Sequence, residues 1–218
     1  MKKALVLLLA VFAVSIIAIA WLNASGTGQR FKARFLPKEE SGAPSAREDA
    51  ALKTKLHRKW EGAIPFIQQK GLHAKFSFFI DMSLPSGRPR FFVYDNKADS
   101  VLFSGPVTHG RCNQEWLEGR RYSNTVGSGC TSLGKYRTGT SYHGRFGLAY
   151  KLHGLESSNS NAFKRYVVLH SHECVPENGV EDDICQSDGC PTVAPGFLKK
   201  LDALLRSADK PVLLWIFE

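Results

Sequence analysis

From about Lys75 to the C-terminus the apolar residues come in short aromatic and β-branched runs, and that pattern admits few folds. Phe76–Ile80, Arg90–Tyr94 and Val101–Phe103 read as strands, with Pro85-Ser86-Gly87 and Asp95-Asn96-Lys97 as turns between them. Gly134–Thr138, Leu148–Leu152 and Arg165–His170 are further strands, and Pro211–Phe217 reads as a buried final one. Gly196–Ser207 sets Phe197, Leu201 and Leu204 or Leu205 on one helical face. Many short strands with few helices predict a mainly β domain over residues 75–218, a sandwich or a barrel with a few short helices. That length suffices for a hydrophobic core.

The chain upstream is organised differently. Lys2 and Lys3 precede an apolar run, Ala4 to Leu22, broken only by Ser15. The run is nearer the length of a spanning helix than of a secretory h-region, so residues 1–22 are expected to be an uncleaved signal anchor. Ala18-Ile19-Ala20 offers a cleavage site, and with cleavage the segment is a signal peptide. Either way the rest of the chain is exported. Residues 23–44, with Gly26, Gly28, Gly42, Pro37 and Pro44 among charges, read as a linker. A helical segment follows over 45–74. Ser45-Ala46-Arg47-Glu48 is a capping-box pattern, Leu52, Leu56 and Trp60 recur at helical spacing, and a helix over 46–62 is expected to end near Gly62 and Pro65.

The formal net charge of +9 invites a nucleic-acid partner, but its distribution argues against one. Residues 23–75 hold 11 Lys and Arg against 5 Asp and Glu, whereas residues 76–218 hold 16 against 15. The β region has no basic footprint for a phosphate backbone.

Export makes the five cysteines informative. Cys174 and Cys185 bracket an acidic loop and Cys112 and Cys130 bracket a second, long loop, so two disulfides there leave Cys190 free; four cysteines allow three pairings, and the connectivity stays open. Cys190 lies in Ser187-Asp188-Gly189-Cys190-Pro191. Gly189 permits close backbone approach, and consecutive N–H groups at such a turn can serve an oxyanion. A thiol nucleophile needs a base, and His170 and His172 share one face if their strand continues that far. A structural zinc is the rival from another class, since His170, His172, Cys174, Cys185 and Cys190 fall close together. A catalytically inert wall-binding module is a further alternative, against which the presence of both Cys190 and His170 argues.

These residues resemble the YkuD-type catalytic domain of murein L,D-transpeptidases, in particular a Gram-negative subfamily. His170-Ser171 followed by Ser187-Asp188-Gly189-Cys190 resembles the family signature, although Asp188 replaces its second histidine and the spacing is slightly long. Ile80–Ser83, Arg90–Asp95, Val107–Gly110, Tyr122–Asn124, Thr131–Tyr136, Tyr142-His143-Gly144, Gly154–Glu156 and Asn161-Ala162 resemble family segments in the same order. The resemblance covers residues 76–195 and implies a YkuD-like fold. It implies that Cys190 attacks a peptidoglycan stem peptide, with His170 as base, the Ser171 carbonyl orienting the imidazole, and Gly189 and Cys190 N–H groups as oxyanion donors. Tyr142, His143, His172, Ser187 and Asp188 are candidates for substrate binding. No metal or organic cofactor is expected. The protein is expected to be a monomer in the periplasm, attached to the inner membrane through residues 4–22 or secreted after cleavage. Water in place of an acceptor amine would make it an L,D-carboxypeptidase or amidase.

Overall fold

The structure is a computed structural model and describes residues 46–218. The expected signal anchor over 1–22 and the linker over 23–44 lie outside the described residues. Among the described residues no helix is long and apolar enough to cross a membrane.

Helix α1 spans Ala46–Lys70, longer than the sequence predicted, and runs through both Gly62 and Pro65. Pro65 withholds one helical N–H and crowds the preceding turn, a cost on the order of 3 kcal/mol. Packing offsets it. Leu56, Ala63 and Ile67 are buried, and Leu52, Trp60 and Phe66 pack beside them against Phe79, Phe92, Tyr94, Leu213 and Phe217 of the sheet. The actual stop is Gly71, at φ +60°. Its N–H reaches the Gln68 carbonyl at 3.2 Å while Leu72 N–H reaches that of Ile67 at 3.0 Å, the paired bonds of a Schellman ending.

Eight strands form one hydrogen-bonded sheet. They are β1 Phe76–Asp81, β2 Phe91–Asp95, β3 Ser100–Gly105, β4 Gly134–Gly144, β5 Gly147–Gly154, β6 Val168–Ser171, β7 Thr192–Val193 and β8 Leu213–Phe217, with α2, Pro195–Ser207, between the last two. Their spatial order is β3-β2-β1-β8-β4-β5-β6-β7. The β1–β8 and β6–β7 pairs are parallel and the others antiparallel. β3 and β7 would be exposed edges, but the chain leaving β3 closes onto β7. Val107 bridges Val193, Thr108 N–H donates to Thr192 O at 2.9 Å, and Thr192 N–H donates to Thr108 Oγ1 at 3.2 Å. The expectation of a sandwich or a barrel thus resolves into a single sheet whose edges meet.

Alternation divides the sheet between two cores. Phe76, Phe78 and Ile80 of β1 join Phe91, Val93, Tyr136, Leu152, Leu169 and the α2 residues Phe197, Leu198 and Leu201 on the inner face. Phe79, between them in sequence, points outward under α1. Arg90 is fully buried at the seam and donates to Val107 O at 2.9 and 2.7 Å and to Leu84 O at 3.1 Å. Burial pulls its pKa down to about 10, which leaves it charged and able to hold the segment that meets β7.

β6 is shorter than expected. Residues before Val168 form turns, with Tyr166 at φ +55°, and the strand stops at Ser171. His172 therefore lies beyond the strand end and is exposed.

Candidate active site

Four of the five cysteines are paired, Cys112 with Cys130 and Cys174 with Cys185, and Cys190 is free. The pairing closes the two loops that the sequence singled out. It also prevents Cys174 and Cys185 from serving as thiolate ligands, so the five-residue zinc set is not assembled; among the described residues no group of three or more acidic, histidine or cysteine side chains is placed to hold a metal.

Cys190 ends a turn that delivers the chain into β7. Gly189 adopts φ +105°, and a Cβ there would lie 2.5 Å from the Cys130 carbonyl oxygen, so glycine is required. Ser187 builds the turn. Its hydroxyl donates to Cys190 O at 2.7 Å, its N–H donates to His109 O at 2.9 Å, and its Oγ accepts Gly189 N–H at 3.2 Å. Gly189 N–H is thus engaged within the turn. The thiol sits between Val168 N–H, 3.5 Å from Sγ, and the Tyr166 carbonyl at 3.8 Å.

His170 is buried on β6, beside Thr192 in the parallel register. Its Nδ1 lies 3.1 Å from the Ser171 carbonyl, which can only accept, so Nδ1 carries the proton and Nε2 is the basic nitrogen. Nε2 lies 3.1 Å from Thr192 Oγ1. No hydrogen bond joins His170 to Cys190, although both line one cavity. The Phe146 ring, at the tip of the β4–β5 hairpin, stacks on the imidazole with centroids 4.6 Å apart.

That cavity, about 240 Å³, brings together Cys190, His170, His172, Ser187 and Asp188 of the expected residues. It also contains Thr108, Arg111, Phe146, Gln186 and Thr192, which sequence reasoning missed. Arg111 Nε pairs with Asp188 at 2.8 Å, so the residue that departs from the family signature anchors a cation at the rim. Beneath the turn, Arg165 clasps the Cys130 carbonyl and donates to Ser123 O at 2.8 Å and Ser132 Oγ at 3.1 Å. Thr108, Arg111, Phe146 and Arg165 were not legible in the sequence, because they reach the site from distant loops and strand ends.

Tyr142 and His143 do not line the cavity. Tyr142 pairs with Ala149, which pairs with His170, so it shares the outer face but lies farther along the sheet. His143 alternates to the inner face, where its partner Leu148 packs on the core.

Burial raises the Cys190 pKa above the ordinary thiol value; the Val168 N–H and the Arg165 charge act in the opposite direction, and Asp188 adds to the rise. Burial likewise lowers the His170 pKa, against the Ser171 contact. The pair is therefore a neutral thiol beside a neutral imidazole. Such a site can deprotonate the thiol as it attacks an electrophile rather than store a thiolate.

The family model of the L,D-transpeptidase catalytic domain, YkuD_2, matches residues 48–215. None of the curated proteins compared with the chain matches it. Similar solved structures include an L,D-transpeptidase from Xylanimonas cellulosilytica, 14% identical with a TM-score of 0.39 over 66% of this chain and 61% of that one. An L,D-transpeptidase from Mycobacterium smegmatis is 12% identical with a TM-score of 0.40, over 66% and 59% of the two chains. Bd1075 of Bdellovibrio bacteriovorus is 15% identical with a TM-score of 0.41, over 66% and 48%. The chain thus spans between about half and three-fifths of their lengths. With residues 48–215 matched, this chain belongs to the L,D-transpeptidase catalytic domain family YkuD_2.

Proposed function

We propose that the protein is a cysteine acyltransferase acting on peptidoglycan stem peptides outside the cytoplasm, attached by residues 4–22 or released by their cleavage. The observation that carries this reading is the free Cys190 sharing one cavity with His170 while every other cysteine is paired. Family membership supplies the substrate class.

His170 Nε2 turns from Thr192 and takes the thiol proton as Sγ attacks the carbonyl between the L and D centres of a tetrapeptide stem. Catalytic hydrogen bonds that are absent in a free enzyme commonly form only with substrate in place. The Ser171 carbonyl keeps Nδ1 protonated and stabilises the imidazolium. The oxyanion falls to Cys190 N–H, joined by Gly189 N–H if that donor leaves Ser187 Oγ. The tetrahedral intermediate collapses to a thioester as terminal D-Ala departs, its amine taking the proton from His170. An acceptor amine then attacks the thioester, passes a proton to His170, and frees the thiol.

Incubation of tetrapeptide muropeptides with wild type and Cys190→Ala, read by mass, tests this. A Cys190-dependent dimer with loss of D-Ala is expected. Cys190-dependent tripeptide without dimer would assign hydrolysis on the same thioester. Turnover undiminished in Cys190→Ala would remove the mechanism.

A further inference from the structure

On the outer face of the sheet, next to the Cys190 turn, basic side chains collect without acidic partners. Strand register places them. Arg137 of β4 pairs with His153 of β5, and Lys151 lies two residues along β5 on the same face. Tyr136 and Leu152, which alternate with them, belong to the inner core. Leu213, opposite Arg137 on β8, packs under α1, which confirms that Arg137 points outward.

Lys135 on this face is neutralised by Glu156 at 2.8 Å. Among the described residues no ion pair joins Arg137, Lys151 or His153 to a carboxylate. Burial, then Arg137, then Lys151 lower the His153 pKa, so the imidazole is neutral between two cations. Like charges gathered on one sheet face repel and await a counter-charge. Exposed rings border them. Phe163 stacks on His153 with centroids 5.0 Å apart, and Lys151 Nζ lies 5.8 Å from the Tyr142 ring centre and 6.0 Å from that of Phe163.

The strip is continuous with the reacting centre. Lys151 is in register with Val168, whose N–H lies 3.5 Å from the Cys190 Sγ. Ala149 links Tyr142 on one side to His170 on the other.

We propose that this strip binds a carboxylate-bearing peptide, the second stem whose amine resolves the Cys190 thioester. Arg137 and Lys151 meet its carboxylates, and Tyr142 and Phe163 lie along its aliphatic parts. The role of acceptor rests on the acyltransferase reading; the binding of an acidic peptide does not.

Calorimetric titration of the full-length chain tests the binding. The probe is an acidic stem tripeptide, which lacks the terminal D-Ala and leaves the thiol unacylated, beside the same peptide with its carboxylates amidated. Loss of charge-assisted contacts is expected to weaken binding about tenfold or more, both on amidation and in the Arg137→Gln, Lys151→Gln double variant. Equal binding of the amidated peptide would assign the rings to a neutral ligand such as a sugar and overturn the proposal. Absence of binding by either peptide, or binding unchanged in the double variant, would overturn it as well. Failure of the acyltransferase reading has a separate readout, the absence of a Cys190-dependent product from muropeptides, and leaves this titration interpretable.

Discussion

The hydroxyl of Thr192 lies 3.1 Å from Nε2 of His170, on the two-residue strand that pairs with β6. Together with the Ser171 carbonyl at Nδ1, it fixes both nitrogens of the imidazole. In Thr192→Val a buried acceptor loses its donor. We expect a stability loss of about 1–2 kcal/mol in denaturant unfolding. Turnover is expected to fall roughly tenfold, since imidazole orientation is part of the base's function. Unchanged turnover would show that Thr192 has no part in positioning the base.

The raised thiol pKa gives a direct expectation. Alkylation of Cys190 by iodoacetamide should keep increasing as pH rises through the ordinary thiol range, without an early plateau. Arg165→Met removes a charge that opposes the rise, so its profile should move to still higher pH. A plateau near neutrality would mean that thiolate is stored in the resting protein.

Phe146 covers His170, and burial is the main cause of that residue's lowered pKa. Phe146→Ala exposes the ring, so the pKa should rise towards the ordinary value. The base works in its neutral form. The acid limb of the kcat/KM profile should therefore move to higher pH in the variant, and a limb that stays in place would exclude His170 as the titrating base.

Gly189→Ala meets two obstacles, a left-handed backbone and the Cys130 carbonyl. Adjustment of the turn would move Sγ away from Val168 N–H. A stability loss of at least about 1–3 kcal/mol is expected from backbone strain alone, with a marked fall in thiol reactivity. Wild-type alkylation rates in this variant would show that the turn tolerates a side chain.

The Cys174–Cys185 bond closes a loop of sequence separation 11 beside the cavity. Replacing both residues by serine should lower stability by about 2–3 kcal/mol, because the unfolded chain regains freedom. Cys190 should remain the one reactive thiol apart from any released at Cys112 and Cys130 by added reductant.

What was legible in the sequence followed local rules. Strands such as Phe76–Asp81 and Leu213–Phe217 announced themselves through aromatic and β-branched runs, and Gly189 beside Cys190 marked a turn that carries the free thiol. Helix α1 was misjudged at its end because Pro65 is a local signal and the burial of Ile67 is a tertiary one. Thr192, Arg111 and Phe146 could not be found, since each meets its partner through strand pairing or loop contact rather than sequence proximity. Tyr142 and His143 show how alternation divides a motif: adjacent residues on a strand point to opposite faces.

The meeting of Val107 with Val193 has a consequence for the order of events in folding. Thr192 and Cys190 acquire their contacts with Thr108 only when the two ends of the sheet join, a pairing between distant parts of the chain that forms slowly. A chain folded only as far as β5 has neither a cavity nor a base beside its thiol. Assembly of the cavity is thereby coupled to completion of the sheet, and a partly folded chain holds Cys190 apart from residues that line the cavity with it.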